Sequence, residues 1–285
     1  MNVYEIITNR IIEQLEAGEI AWKKPWNAQT QAPRNLISGK LYSGINTFIL
    51  LSARYQSPYW LTFKQTTEKG GSVRKGEKGY PVVFWKIDKK ADEETGEEKT
   101  VPILRYYTVF NVAQIDGLQG VPATEIHSTT EDGAEAIDAA EWIVAQMPNR
   151  PQISHGHTRA CYSPAWDRVE MPVAIAFTGP AEYYSTLFHE LAHATGHESR
   201  LGRHQTIKNH SFGSQDYSKE ELVAEFGSAF LCAEAGISPA VIENQTAYIQ
   251  GWLKALKNDN KLLINAAAQA QKAADFIMGR KEGNE

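Results

Sequence analysis

Residues 184–197 of this 285-residue chain read YSTLFHELAHATGH. On an α-helix, positions i and i+4 lie on one face, so His189 and His193 would project together. Two neutral imidazoles in that arrangement can hold one Zn²⁺, with Zn–N distances of about 2.0–2.1 Å. Glu190 follows the first histidine and can take a proton from a water that the metal activates. The stretch therefore predicts a metal-binding helix of the kind that metallopeptidases use, with Glu190 as the catalytic residue.

A catalytic zinc needs a third protein ligand and an open fourth position. One candidate for the third ligand is His197, one further i+4 step along the chain. Gly196 is expected to break the helix just before it. The metzincin pattern requires a histidine at position 199, where this chain has Ser199, so that pattern fails.

The other candidate ligand is a glutamate on a following helix. Glu221 lies 28 residues after His193 and shares a helix face with Glu225. This spacing resembles the gluzincin arrangement, in which an acid four residues after the ligand glutamate supports a ligand histidine from behind. We therefore expect Glu221 to be the third ligand and Glu225 to be the supporting acid. Glu220, Glu225 and His197 remain alternative ligands.

Aromatic and basic residues alternate in the N-terminal half of the chain. A glycine-rich basic loop, residues 69–78, lies between predicted strands. Cations that follow phosphates and aromatic faces that stack on bases together bind single-stranded nucleic acid. The residues expected to contact DNA are Lys40, Tyr42, Arg54, Tyr59, Trp60, Lys64, Arg74, Lys75 and Lys78. In the competing interpretation half or more of the aromatics form a core, and Phe63, Phe84 and Tyr107 are expected to be buried.

The hydrophobic patterning predicts an α+β chain of two domains. A single-stranded-DNA-binding domain, residues 1–125, combines a small antiparallel sheet with helices, and a zincin-like, gluzincin-type metallopeptidase domain covers 126–285. The linker is expected within 121–132, where apolar periodicity lapses. Helices are predicted at 3–17, 45–55, 134–145, from 182 onward, at 220–235 and over 248–278. Strands are predicted at 59–63, 80–87, 103–111, 161–171 and 173–177.

The charge distribution and the apolar content of the chain narrow the classes of partner that it could bind. The net charge of −5 conceals an asymmetry, with 16 basic and 14 acidic residues up to position 127 and 13 and 20 after it. A mildly basic module followed by an acidic one favours a nucleic-acid partner for the first half only. The sequence has no run of eighteen apolar residues and no signal-peptide pattern, so we expect a cytoplasmic protein without a membrane partner. Cys161 and Cys232 are expected to be reduced thiols.

Several segments resemble one family. They are 35–46, 59–65 and 71–79 in the N-terminal half, and 162–172, 189–197 and 218–225 in the C-terminal half. They are similar to the ArdC-type antirestriction proteins, whose single-stranded-DNA-binding domain resembles the N-terminal domain of plasmid TraC primases. The resemblance implies a plasmid-borne protein that shields incoming conjugative DNA from host restriction. The expected cofactor is Zn²⁺, with another divalent metal such as Mn²⁺ as the alternative.

Three functions stay open at this point. The first is an antirestriction protein that binds single-stranded DNA and carries a metal-binding metallopeptidase-like domain. The second is an active DNA-associated zinc metalloprotease that cleaves a protein substrate, which could add as a strand beside residues 162–171. The third is a non-enzymatic DNA-binding protein in which the metal only stabilises the fold.

Overall fold

A computed structural model describes residues 2–20, 32–91, 98–123, 134–206, 215–237 and 245–280. The helices are α1 (Val3–Glu16), α2 (Ile45–Leu51), α3 (Phe63–Glu68), α4 (Ala134–Gln146), α5 (Pro180–Ala194), α6 (Gln215–Ala235), α7 (Gln245–Asn258) and α8 (Leu262–Ile277). The strands are β1 (Arg34–Asn35), β2 (Tyr59–Thr62), β3 (Ser72–Val73), β4 (Tyr80–Ala91), β5 (Glu98–Asn111), β6 (Ile115–Asp116), β7 (Gln152–His155), β8 (Cys161–Ser163) and β9 (Arg168–Met171). These elements confirm the predicted α+β class. None of the helices in the described ranges is both long and apolar enough to cross a membrane.

The chain divides into two compact units. Unit 1 contains Met1–Arg10 and Gln31–Thr124, and unit 2 contains Ile11–Thr30 and Glu125–Glu285. This division differs from the predicted domains 1–125 and 126–285 because residues 11–30 are grouped with unit 2. The second half of α1 therefore belongs to unit 2, where it contributes buried isoleucine and leucine side chains.

Unit 1 is built on a four-stranded sheet in the order β1-β2-β5-β4, in which β1 is parallel to β2 and the other neighbours are antiparallel. Its buried cluster consists of Leu50, Trp60, Val82 and Val109. Trp60 is only 1% exposed, and the rings of Tyr55 and Tyr80 pack edge-on against it at 5.6 and 5.4 Å. The prediction that Trp60 contacts DNA is therefore wrong, because the core closes over the indole.

Three aromatic residues that we expected to be buried lie on the surface of unit 1. Phe63 is 63% exposed, and Phe84 and Tyr107 are each 39% exposed. The Thr62 side chain caps α3 and forms a reciprocal capping box with Gln65, so Phe63 becomes the first residue of a helix instead of the last residue of a strand. Tyr107 is paired with Val82, at the end of the buried cluster, and Phe84 lies two residues beyond Val82, so both rings are only partly covered by the described residues.

Strand β4 lies at an edge of this sheet. The side-chain amide of Asn46, on α2, donates to the carbonyl of Val83 and accepts from its backbone N–H, both at 2.8 Å. Most residues of α2 are buried. The helix is thus fixed to the strand by packing and by a pair of hydrogen bonds that imitates a strand partner.

Unit 2 contains a three-stranded sheet in the order β7-β9-β8, in which β7 runs parallel and β8 antiparallel to β9. The predicted strand over 161–171 is two strands joined by a turn. The predicted strand over 173–177 is wrong, since Ala174–Ala176 forms a 3-10 turn. Strand β9 ends at Met171 because Pro172 has no N–H to donate to a ladder.

A buried arginine holds the β8–β9 turn in unit 2. The Arg200 side chain is fully buried and donates to both carboxylate oxygens of Asp167, in that turn, at 2.6–2.9 Å. It also donates to the backbone carbonyls of Ala194 and Asn149, at 3.1 and 3.0 Å. The turn is thereby attached to the end of α5, which carries the predicted metal-binding histidines.

Candidate metal centre and nucleic-acid surface

Helix α5 places the two predicted histidine ligands side by side. Pro180 supplies the fixed backbone angle favoured at a helix start, and the helix runs unbroken to Ala194. The i,i+4 spacing brings Nε2 of His189 and Nε2 of His193 to 3.1 Å from each other. Two imidazole nitrogens at this distance share one binding point, as the sequence spacing predicts.

Glu221, on α6, joins the two histidines. Its carboxylate oxygens lie 3.6 Å from Nε2 of His189 and 3.5 Å from Nε2 of His193. A tetrahedral zinc with bonds of about 2.0–2.1 Å separates its ligand atoms by about 3.3–3.4 Å. The three observed separations bracket that value, so the residues present fit a divalent metal of this size. They form the one His/Cys/Asp/Glu group of metal-binding geometry in the described part of the chain.

The alternative ligand His197 lies outside this group. Its Nδ1 is 2.8 Å from the Ser199 hydroxyl and accepts the backbone N–H of the same residue at 3.2 Å. The helix ends before His197, as expected from Gly196. A Cβ added at Gly196 would lie 2.3 Å from Nε2 of His204, so this position also requires the smallest residue for packing.

Negative charge dominates the surroundings of the histidines. Burial lowers the pKa of His189, but Glu221, Glu225 and Glu190 outweigh burial and raise that pKa to about 9. The same carboxylates would stabilise a divalent cation bound by the two imidazoles, because they supply the negative charge that neutral rings lack. The charge of Glu225 is thus one of the influences that raise the pKa of His189.

Glu220, which the sequence predicts only as an alternative ligand, lies beside His193 and Arg203. Its carboxylate lies 3.7 Å from Nδ1 of His193, on the side of the ring away from Glu221, and accepts from Arg203 at 2.7 and 3.2 Å. Arg203 in turn donates to the hydroxyl of Thr195 at 2.8 Å. An acid behind a ligand histidine fixes the ring and its tautomer. Glu220 directly precedes the predicted ligand Glu221 in the chain, so the sequence does not predict which histidine it faces. The fold shows that it faces His193.

The edge strand β8 positions the predicted catalytic residue Glu190. The backbone N–H of Tyr162 donates to Oε2 of Glu190 at 2.7 Å. The carboxylate, the His-His-Glu group and β8 line one cavity of about 450 Å³. The cavity is lined by Arg159, Ala160, Cys161, Tyr162, Pro164, His189, Glu190, His193, His204, Glu220 and Glu221. The geometry can therefore admit a ligand beside both the metal-binding group and a carboxylate base.

The N-terminal residues predicted to contact DNA have several different environments. Lys40, Lys75 and Lys78 are exposed, as are Arg54 and Lys64, and Tyr59 is half-buried. Tyr42 packs against the buried cluster, and burial raises its pKa to about 12. Arg74 donates to Glu77 at 2.8 Å and to the carbonyl of Ala113 at 2.6 Å, so its guanidinium holds the loop 74–78 in place.

A different set of residues forms an exposed aromatic and basic surface on the β4–β5 hairpin. The cross-strand pairs Phe84–Arg105 and Val82–Tyr107 place Phe84, Arg105 and Tyr107 on one face, and Lys86 follows two residues after Phe84. The rings of Phe84 and Tyr107 lie 5.3 Å apart. Lys86 and Arg105 are exposed beside them. Aromatic faces and cations therefore alternate on one surface, which we call the hairpin surface.

The fold and the metal group define a two-domain protein with a zincin-like C-terminal half. Residues 1–110 match the family model of the N-terminal domain of the anti-restriction factor ArdC. Residues 138–269 match that of a zincin-like metallopeptidase. Together with the full-length matches below, these show that the chain belongs to the ArdC family of antirestriction proteins.

Two solved structures of the antirestriction ArdC protein from the R388 plasmid are similar over 97% of both chains. The metal-free structure is 41% identical with a TM-score of 0.78, and the Mn(II)-bound structure is 39% identical with a TM-score of 0.77. The uncharacterized protein y4eC of Sinorhizobium fredii is 36% identical over 97% of this chain and 91% of its own length. A DNA primase TraC of Escherichia coli is 39% identical over 96% of this chain but only 27% of its own length. The chain therefore spans about a quarter of that relative.

Proposed function

We propose that this chain is an antirestriction protein that binds single-stranded DNA through unit 1 and a divalent metal, Zn²⁺ or Mn²⁺, through unit 2. Membership of the ArdC family supports the antirestriction role. The observation that carries the DNA-binding part is the hairpin surface, where the exposed rings of Phe84 and Tyr107 lie beside the exposed cations Lys86 and Arg105. In cells, coating of single strands would keep incoming plasmid DNA from restriction enzymes.

The hairpin surface suits single strands better than duplex. The bases of a single strand are free to stack on aromatic side chains, whereas the bases of a duplex are already stacked on each other. The rings of Phe84 and Tyr107 offer aromatic surface beside positive charge for such stacking. Loss of one stacked base costs about 1–3 kcal/mol, which corresponds to about 5- to 150-fold in affinity. The exposed lysines Lys40, Lys75 and Lys78 would add salt-sensitive phosphate contacts.

Fluorescence anisotropy with a labelled single-stranded oligonucleotide and its duplex tests this proposal. Phe84→Ala and Tyr107→Ala should each weaken single-strand binding within the range above. Trp85→Ala is the matched control, because Trp85 is 45% exposed on the opposite face of the same strand. Equal affinity of the wild type for single strand and duplex would exclude the preference, and an equal loss in Trp85→Ala would exclude the hairpin surface as the binding face.

In unit 2, we propose His189, His193 and Glu221 as the metal ligands. The metal would supply Lewis acidity at the cavity wall. Glu220 would hold the His193 ring, and Glu225 would act on His189 by its charge. Glu190 would accept a proton from water in the cavity, since Tyr162 fixes one of its oxygens and its side chain lines the same space.

That position of Glu190 favours peptide hydrolysis as a second candidate function. Glu190→Ala should retain metal and abolish any cleavage of a casein or peptide-library substrate by the zinc-loaded chain. Protection of DNA in a restriction assay should survive the same substitution if binding alone provides it. No cleavage by the wild type under zinc or manganese loading would rule out this second function and leave the first intact.

A further inference from the structure

Four arginines lie on the segments around the metal-binding cavity, and three of them have carboxylate partners. Arg168 is paired with Glu170, Arg200 with Asp167 at 2.6 Å, and Arg203 with Glu220 at 2.7 Å. The fourth is Arg159, which lines the cavity, is exposed, and has no ion pair or hydrogen bond to any residue in the described ranges.

The cavity around Arg159 is otherwise rich in negative charge. Glu190, Glu220 and Glu221 line it. Arg159 is close enough to Cys161 that its charge opposes the effect of burial, which raises the pKa of that thiol. An unpaired guanidinium at the edge of such a site is well suited to a planar anion, because its N–H groups match the two oxygens of a carboxylate.

From these observations we infer that Arg159 is a specificity-determining residue that binds an acidic side chain of a polypeptide lying along β8 in the metal-binding cavity. The inference rests on the proposed peptide site of unit 2 and adds the class of residue that the site selects. The glutamates that line the rest of the cavity would repel an acidic side chain. Arg159 therefore also determines the position in the peptide at which an acidic residue is tolerated.

The position of Arg159 limits which residue of the peptide it can contact. Arg159 precedes Tyr162, whose N–H bonds Glu190, by three positions. Three residues of extended chain span at most about 10 Å. An extended peptide lying along β8 also advances about 3.3 Å per residue. The acidic side chain should therefore lie within about three residues of the bond that faces Glu190.

Two short peptide hydroxamates provide the test, identical except for Glu in one and Gln in the other, within three residues of the hydroxamate. Their affinities for the zinc-loaded full chain are measured by calorimetry. The wild type should bind the Glu probe about three- to tenfold more tightly, with a ratio that falls as salt is added. Arg159→Ala should bring the ratio to one or below, and Arg159→Lys should keep part of it.

Lys254→Ala is the matched control, because Lys254 is an exposed cation of unit 2 that is not among the cavity residues. It should keep the wild-type ratio. A wild-type ratio of one, or an unchanged ratio in Arg159→Ala, overturns the inference while binding of both probes upholds the peptide site. Failure of both probes to bind the zinc-loaded chain overturns the peptide site and this inference together.

Discussion

Glu220→Gln tests whether the acid behind His193 organises the metal site. The glutamate accepts two hydrogen bonds from Arg203 and also faces Nδ1 of His193 and Nε2 of His204, at 3.7 and 3.4 Å. Glutamine has the same shape but only one acceptor oxygen. Its amide nitrogen must therefore face either Arg203 or an imidazole, and the negative charge is lost.

The expected losses follow from these contacts. The Arg203 side chain is 9% exposed, so its charge cannot turn to solvent when its partner is removed. One lost hydrogen bond to a charged group costs about 1.5–3 kcal/mol, and an uncompensated buried charge adds to it, so we expect about 2–4 kcal/mol in the free energy of unfolding of unit 2. The freed His193 ring should lower zinc affinity by about 10- to 100-fold, or about 1.4–2.7 kcal/mol.

The two losses are measured separately. Thermal unfolding in the presence of EDTA gives the stability of the metal-free chain, in which the unit 2 transition should fall by about 5–15 °C. Competition with a chromophoric chelator gives zinc affinity at a temperature where both proteins are folded. Glu225→Gln is the matched control on the same helix, because Glu225 also acts on His189 by its charge. A smaller effect is expected, since only the Glu220 substitution removes the carboxylate paired with the buried Arg203.

A Glu220→Gln protein that unfolds within about 1 °C of the wild type and binds zinc within about twofold would contradict this role of Glu220, because both changes are well below the effects typical of such losses. An affinity loss as large in Glu225→Gln would refute the assignment of Glu220 as the principal support. A loss of stability without a loss of affinity would show that the acid serves Arg203 and not His193.

Three further outcomes follow from the site and its supports. Glu221→Ala should remove most zinc affinity and Glu225→Ala less, measured by metal stoichiometry after gel filtration; full stoichiometry in Glu221→Ala would favour His197 as the third ligand. Burial raises the pKa of Glu220, but its histidine and arginine partners outweigh burial and hold that pKa below its usual range, so its contribution to stability is present above about pH 4.5 and is lost as the pH falls below that. Acid unfolding followed by circular dichroism should accordingly show a shallower dependence on pH in Glu220→Gln, and identical slopes would exclude this role. Arg200→Met should destabilise unit 2 by about 3–5 kcal/mol in a urea titration, since it breaks a buried ion pair; a cost no larger than that of an exposed-lysine substitution would contradict it.

The sequence predicted the parts of the site that lie on one helix or repeat a short spacing. His189 and His193 share a face because the helical period is 3.6 residues, and Glu221 and Glu225 could be placed by the same rule. Glu220 could not be assigned as the support of His193, because its role depends on how α6 is rotated against α5. The hydrogen bond from the backbone N–H of Tyr162 to Glu190 could not be predicted either, because every residue except proline has such a donor.

In unit 1, the prediction of burial failed for aromatic residues in both directions. Trp60 is a core residue and Phe84 is exposed, although both occupy strands with similar composition. Strand alternation predicts that Phe84 and Val82 share a face, but it does not show where along a long hairpin the covering layer ends. The capping box of Thr62 and Gln65 was readable in the sequence, and it would have identified α3 and the exposure of Phe63.

The hydrogen bonds between Asn46 and Val83 have a consequence for aggregation. β4 is an edge strand, and its segment Pro81–Trp85 is apolar, uncharged and rich in β-branched and aromatic residues, which is the composition that recruits other chains into intermolecular sheets. The Asn46 amide occupies the N–H and C=O of Val83, at the middle of that segment. A second copy of the chain cannot continue the ladder there without displacing it. The same hairpin can thus keep its aromatic face open for a ligand while its edge is closed to self-association.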